Sequence, residues 1–229
     1  MPRDGVIVLI VIGSIIPIAL AVALSTVPVL ATLALLLSPR RAESAPLFLV
    51  GWFLGLFGVA AIFAVGLAQL PKDLSGTSGT VIGVLEIIVG AVMLVIGIRA
   101  FRIEPPTPGR TSAWLGRVQR MGRWPAFVTA IVLNVRPKAL VLAAATGLVV
   151  GSNYQGLAEA VIELLIYTAI SASTIAVPVI LTLQRPATME PRIRATRDWM
   201  TRNQSIITAI VLLLIGAGIL GNGLIRLGS

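Results

Sequence analysis

Apolar residues run along this chain in six long blocks separated by short polar segments, at roughly 6–37, 45–70, 79–101, 125–150, 156–182 and 204–227. About twenty consecutive apolar residues are enough for a helix to cross the hydrocarbon core of a bilayer, and blocks of that length are foreign to soluble domains. Inside lipid every backbone N–H and C=O must find a partner within the protein, so each block reads as a helix. The pattern predicts an all-α, multi-pass protein of the cell inner (plasma) membrane with six transmembrane helices. The first block is the odd one. At 1.5 Å per residue it would measure about 48 Å, against a core about 30 Å thick. It must tilt, kink or break, and Pro17 and Pro28 are where helical bonding fails. Ala21-Val22-Ala23 has the small-residue look of a signal-peptide cleavage site. The start of the chain is nearly neutral, however, with Arg3 against Asp4, and the block continues to Leu37 without a polar interruption. It reads as a retained helix.

Composition narrows the chemistry. Hydrophobic residues make up 57% of the chain and charged residues only 12%. The formal net charge of +9 would suggest nucleic acid in a soluble protein; here it is assigned to cytoplasmic loops, and no nucleic-acid partner is expected. With no Cys and no His, thiol chemistry, Cys-metal sites and the usual near-neutral proton shuttle are excluded. Neither a phosphate-binding GxxxxGK[ST] loop, a zinc spacing nor a nucleophile elbow is present. The expectation is no enzyme, no cofactor and no metal site.

Arginine sets the predicted orientation. Arg40 and Arg41; Arg99, Arg102, Arg110, Arg117, Arg120 and Arg123; and Arg185, Arg192, Arg194, Arg197 and Arg202 fall in the connections after the first, third and fifth blocks. Only Arg3, Lys72 and Arg226 fall on the other side. The positive-inside rule puts the arginine-rich connections in the cytoplasm and both termini outside. In TSAWLGRVQRMGRW, Trp114, Leu115, Val118 and Met121 recur at helical spacing while Arg117, Arg120 and Arg123 point elsewhere. That describes a short amphipathic helix on the cytoplasmic leaflet, either a topology anchor or a captor of lipid headgroups.

The two halves of the chain echo each other. The first block carries Ser-Thr-Val-Pro at 25–28 and the fourth Asn-Val-Arg-Pro at 134–137, each a polar residue three positions before a proline. Three blocks per half invert the second copy relative to the first, the arrangement in which transporters build a midplane site from two broken helices. The predicted division is a first three-helix repeat at 1–101, a basic amphipathic cytoplasmic linker at 102–124 and a second three-helix repeat at 125–229, with helices 1 and 4 kinked or broken at proline. Coincidence of two prolines in six apolar helices is the alternative.

Arg136 and Lys138 lie inside the fourth block, where a charge costs from about 3 to 10 kcal/mol or more unless it faces protein, water or a counter-ion. Two residues apart is about 200° around a regular helix, so they share no face unless Pro137 redirects them. The pair, with Asn134 as a neutral hydrogen-bonding neighbour, points to an aqueous site for something anionic. Ion pairing to an intramembrane carboxylate, or snorkelling toward the cytoplasm, are the competing readings. Candidate counter-ions are few. Glu86 shares a stripe with Gly83, Gly90 and Gly97, whose seven-residue spacing marks a helix-packing face. In the fifth block Glu159, Glu163, Tyr167, Ser171, Thr174 and Pro178 recur three and four apart, a polar face that should line a cavity or pair with the fourth helix. Glu159 fits the outer interface, while Glu163 and Glu86 lie deeper and would either carry protons or pair with Arg136 or Lys138. Gly51, Gly55 and Gly58, and Gly216, Gly218 and Gly221, read as helix-contact surfaces.

Ser25-x-x-Pro28, Asn134-x-x-Pro137-Lys138-Ala139-Leu140 and the turn LSPRRAESAPLFLVGWFLG resemble the LysE superfamily of membrane exporters. Within it the chain looks most like the GAP, or Sap, group of glycopeptidolipid- and sulfolipid-addressing proteins of mycobacterial-type envelopes. The resemblance covers the whole chain in length and number of apolar blocks. It implies six helices in two inverted repeats and export of a solute or envelope lipid. Thr26-Val27 stands where many relatives have another proline, and Arg136 interrupts an Asn-Pro-Lys expected to be more compact.

The reading is a secondary transporter or flippase-like exporter of an anionic envelope lipid, glycolipid or precursor, coupled to protons. Arg136, Lys138, Asn134 and Pro137 would hold the charged group. Ser25, Thr26 and Pro28 would complete the site from the other repeat, with Tyr167, Ser171 and Thr174 beside them and Glu163 or Glu86 as coupling or counter-ion groups. Membrane lipids and the anionic cargo are the expected partners, with a homodimer or a lipid-biosynthesis or export partner left open. Two alternatives are an amino acid or ion exporter of the LysE type and a non-transporting scaffold subunit of a lipid-export complex.

Overall fold

The computed structural model describes residues 2–68, 77–102, 108–152 and 156–228. Among them all regular structure is helical. The order is α1 (Pro2–Ala23), α2 (Thr26–Leu36), α3 (Arg41–Ala68), α4 (Thr77–Arg102), α5 (Pro108–Gln119), α6 (Arg123–Leu133), α7 (Pro137–Ser152), α8 (Leu157–Gln184), α9 (Pro186–Arg202) and α10 (Gln204–Gly228). Three stretches are long and apolar enough to cross a membrane: Arg41–Gly66, Leu157–Gln184 and Gln204–Ile225. Two further pairs qualify if each is one bent span, Gly13–Ala23 with Thr26–Leu36, bent by 53°, and Arg123–Leu133 with Pro137–Gly151, bent by 64°. The chain is a multi-pass membrane protein.

The first and fourth apolar blocks are therefore each two helices. Proline explains where they part. Pro28 has no N–H for the carbonyl of Leu24, and Pro137 none for that of Leu133. α1 stops at Ala23 and α6 at Leu133, at or one residue before the carbonyl so deprived. Pro137 then opens α7 as its first residue, where a missing N–H is harmless. Pro17, by contrast, lies inside α1.

By packing, the chain falls into two compact units, one of residues 1–69 and 106–202, the other of residues 70–105 and 203–229. In the first, α3 lies against α6, α7 and α8, and α1 against α7 and α8. The large interior side chains are Phe48 and Trp52 of α3 and Tyr167 of α8. Gly51 and Gly55 let α6 come close: a Cβ on Gly51 would lie 2.6 Å from the Phe127 carbonyl oxygen, and one on Gly55 2.6 Å from Asn134 Nδ2. α2 is buried almost all round, enclosed by α3, α5, α8 and α9. The apolar face of α5 is thus turned to protein, Val118 fully and Leu115 all but a 7% exposed edge, while Arg117, Arg120 and Arg123 are exposed as the spacing indicated. α9 is a second amphipathic helix, with Ile193 and Met200 buried.

The second unit is the pair α4 and α10. They touch backbone to backbone: a Cβ on Gly90 would lie 2.7 Å from Leu220 N and 2.8 Å from the Gly216 carbonyl oxygen. Gly83 and Gly97 instead receive the side chains of Leu227 and Leu213. The heptad-spaced glycines are a packing face, as read. Gly58, Gly218 and Gly221 differ, having nothing within 4 Å of an added Cβ. Among the described residues they meet no neighbouring helix.

Candidate functional site

A helix end leaves its last four carbonyls without donors, and in a membrane interior each must be satisfied by protein or by a hydrated site. At the α6 end the neighbouring residues supply all four. Asn134 Nδ2 donates to Ala130 O at 2.9 Å, Asn134 N to Ile131 O at 2.9 Å, Val135 N to Val132 O at 3.0 Å, and Arg136 Nε to Leu133 O at 3.2 Å. Arg136 thus caps the very carbonyl that Pro137 abandons. Only one of its donors is used there, and the side chain is half-buried. Lys138 is half-buried two residues on, in the first turn of α7. Among the described residues neither cation forms an ion pair.

The α1 end is repaired by a neighbour. Leu24 N donates to Leu20 O at 2.9 Å and Ser25 N to Val22 O at 3.0 Å. From α8, Thr174 Oγ1 donates to Ala23 O at 2.8 Å and Ser171 Oγ to Ala19 O at 3.4 Å. Half-buried Ser25 is the N-cap of α2 without a side-chain capping bond. Thr26 and Pro28 are buried, and the Pro28 carbonyl accepts from Thr32 Oγ1 at 2.9 Å. No hydrogen bond or ion pair among the described residues joins residues 24–28 to residues 133–138. What links the two breaks is packing of α1 against α7 and α8 and of α2 against α8.

The fifth block's polar face is interior, as its spacing indicated. Glu163 is 4% exposed, Tyr167 0% and Ser171 1%. Glu163 has no hydrogen bond or ion pair among the described residues. The Tyr167 hydroxyl faces the side chains of Thr146 and Ser171 without reaching hydrogen-bond geometry to either. Their hydroxyls are turned to Leu142 O and Ala19 O. Two other buried polar atoms of this unit, Trp52 Nε1 and Asn134 Oδ1, also have no partner among the described residues. A buried group left in that state costs about 1–3 kcal/mol. Glu86 lies on α4, its side chain outside the described residues.

Several neighbours escaped sequence reading. Thr146 of α7 and Trp52 of α3 sit in uniformly apolar surroundings, where one polar atom barely alters the pattern. Gly55 was readable as a contact residue, though not as the floor beneath Asn134.

A sequence model of the Sap, sulfolipid-1-addressing protein family matches residues 15–225. The chain belongs to this family. The match includes both helix breaks and every candidate site residue, from Ser25 to Thr174. Neither the curated proteins nor the solved structures contain a match.

Proposed function

We propose that this member of the Sap family is a flippase-like secondary transporter. Its cargo is an anionic envelope lipid, glycolipid or precursor, moved outward across the plasma membrane. The observation that carries the reading is the break at 134–136: two half-buried cations stand within an apolar helix pair and lack an acidic partner among the described residues. The family name, with its reference to lipid addressing, supports a lipid as cargo. A sulfate or phosphate headgroup would lie against Lys138, the free donors of Arg136 and the positive end of α7. The α1/α2 break with Ser25 would complete the site, in a six-helix frame of two inverted repeats like that of LysE-type exporters. Glu163, buried and without a partner among the described residues, is the better placed coupling group, and Glu86 the second. The arginine-rich connections then face the cytoplasm and both termini lie outside.

The test is a comparison of lipids in outer-envelope fractions from cells with the gene, without it, and complemented by Lys138→Ala. The missing lipid is expected to return with the wild-type gene and to stay largely absent with the variant. Full restoration by Lys138→Ala would remove the site assignment.

A further inference from the structure

A groove of about 380 Å³ opens between α5 and α9, lined by Leu115, Gly116 and Gln119 on one side and by Arg197, Asp198, Thr201 and Arg202 on the other. It lies apart from both helix breaks. Both lining helices turn apolar faces inward against α2, and α9 directly follows the apolar α8. That puts the groove at the level where a bilayer's headgroups lie, and the exposed indole of Trp199 fits the same level. Arg197 gives Nε and Nη2 to Asp198 Oδ1 at 3.2 and 3.1 Å, which leaves its other amino group free. Arg202 has no acidic partner among the described residues. Thr201 turns its hydroxyl to Arg197 O at 2.8 Å, adding a polar wall. The lining thus holds two guanidinium groups against one carboxylate, beside an apolar floor at Leu115.

We propose that this groove binds the headgroup of an anionic membrane lipid, its phosphate held between Arg197 and Arg202 and the start of its acyl chains against Leu115. Guanidinium matches the geometry of phosphate oxygens. A soluble acidic protein would have no use for an apolar floor at this depth, whereas a lipid needs both.

The experiment uses the full chain in detergent micelles, exchanged into mixed micelles with phosphatidylglycerol or phosphatidylcholine, with retained lipid read by native mass spectrometry. Wild type should retain phosphatidylglycerol over phosphatidylcholine. Arg197→Gln with Arg202→Gln should lower retention about tenfold, the loss expected for charge-assisted contacts. Gly116→Leu should do the same with the charge unchanged, because a Cβ there meets nothing nearer than Arg120 Nη2 at 3.9 Å and the added side chain would fill the groove. One variant removes charge and the other adds bulk, so a folding defect in either leaves the other informative. Arg185→Gln with Arg192→Gln, both exposed and outside the groove, should leave retention unchanged. Inorganic phosphate should not displace the lipid. Equal loss in that control pair, normal retention by Gly116→Leu, or displacement by phosphate would each overturn the proposal. Loss on Lys138→Ala with the groove variants unaffected would put the lipid at the helix break instead, and would also overturn it.

Discussion

The breaks at 24–25 and 134–136 arise in the same way and are repaired in opposite ways. Both follow from a proline that deprives a carbonyl of its donor. At the first, the following backbone takes Leu20 O and Val22 O, while Thr174 of α8 donates to the terminal Ala23 O and Ser171 to Ala19 O, which ties one helix to another. At the second, Asn134 and Arg136 cap their own helix, so no neighbouring helix is needed. The first break is a joint between helices. The second is self-contained, with a cation to spare at Lys138. Geometry alone, 53° against 64°, would not have told them apart.

The sharpest way to test that contrast is Lys138→Ala. If the second break holds cargo, export should fall about tenfold or more, as expected for a lost charge-assisted contact of about 1.5–3 kcal/mol. The melting temperature in detergent should hardly move, because Lys138 caps nothing. A large drop in melting temperature would make Lys138 a structural residue. Gly55→Val comes next. Its Cβ would meet Asn134 Nδ2 at 2.6 Å and Ile131 Cα at 3.3 Å, so overpacking should cost about 1–3 kcal/mol in unfolding measurements and disturb the cap on Ala130. An unchanged melting curve would refute the close approach of α3 and α6.

At the first break the effects should be smaller. Thr174→Val removes the hydroxyl bonded to Ala23 O and should cost about 0.6–1.7 kcal/mol, with Thr174→Ser close to wild type. Equal stability of the valine and serine variants would mean that the α8 bond does not matter. The smallest effect concerns Glu190, which lies outside the apolar helices and joins Arg41 at 3.2 Å to Arg194 at 2.7 Å. Hydrogen bonds from Arg194 and then Arg41 hold its carboxyl below the ordinary glutamate value of 4.5. A carboxylate whose folded value is lowered stabilises the fold above its unfolded value, and the gain fades as pH falls through the folded one. Stability should therefore slip slightly below about pH 4.5, and Glu190→Gln should flatten that slope. An unchanged slope in the glutamine variant would mean that the pair is without consequence.

Much of this arrangement was readable before any coordinates. The second, fifth and sixth apolar blocks became α3, α8 and α10 with ends shifted by only a few residues, because burial in lipid leaves the chain little choice. The inward polar face of α8 followed from spacing alone. What spacing could not supply was the partner of each hydroxyl. Ser171 and Thr174 looked like cavity lining, yet their protons go to α1 carbonyls from residues about 150 positions away, a pairing set by tertiary packing. Arg136 looked like a binding, ion-pairing or snorkelling group, not a helix cap. Its bond to Leu133 O exists only because Pro137 cannot make one. α9 went unread as a helix, although Met189, Ile193 and Met200 recur at helical intervals, because its arginines were counted only for topology.

The Gly90–Gly216 contact bears on how the protein is made. α4 is synthesised well before α10, the helix that fits its glycine face. Until α10 is inserted that face lacks the partner it fits, so the pair can assemble only after about a hundred further residues have been made.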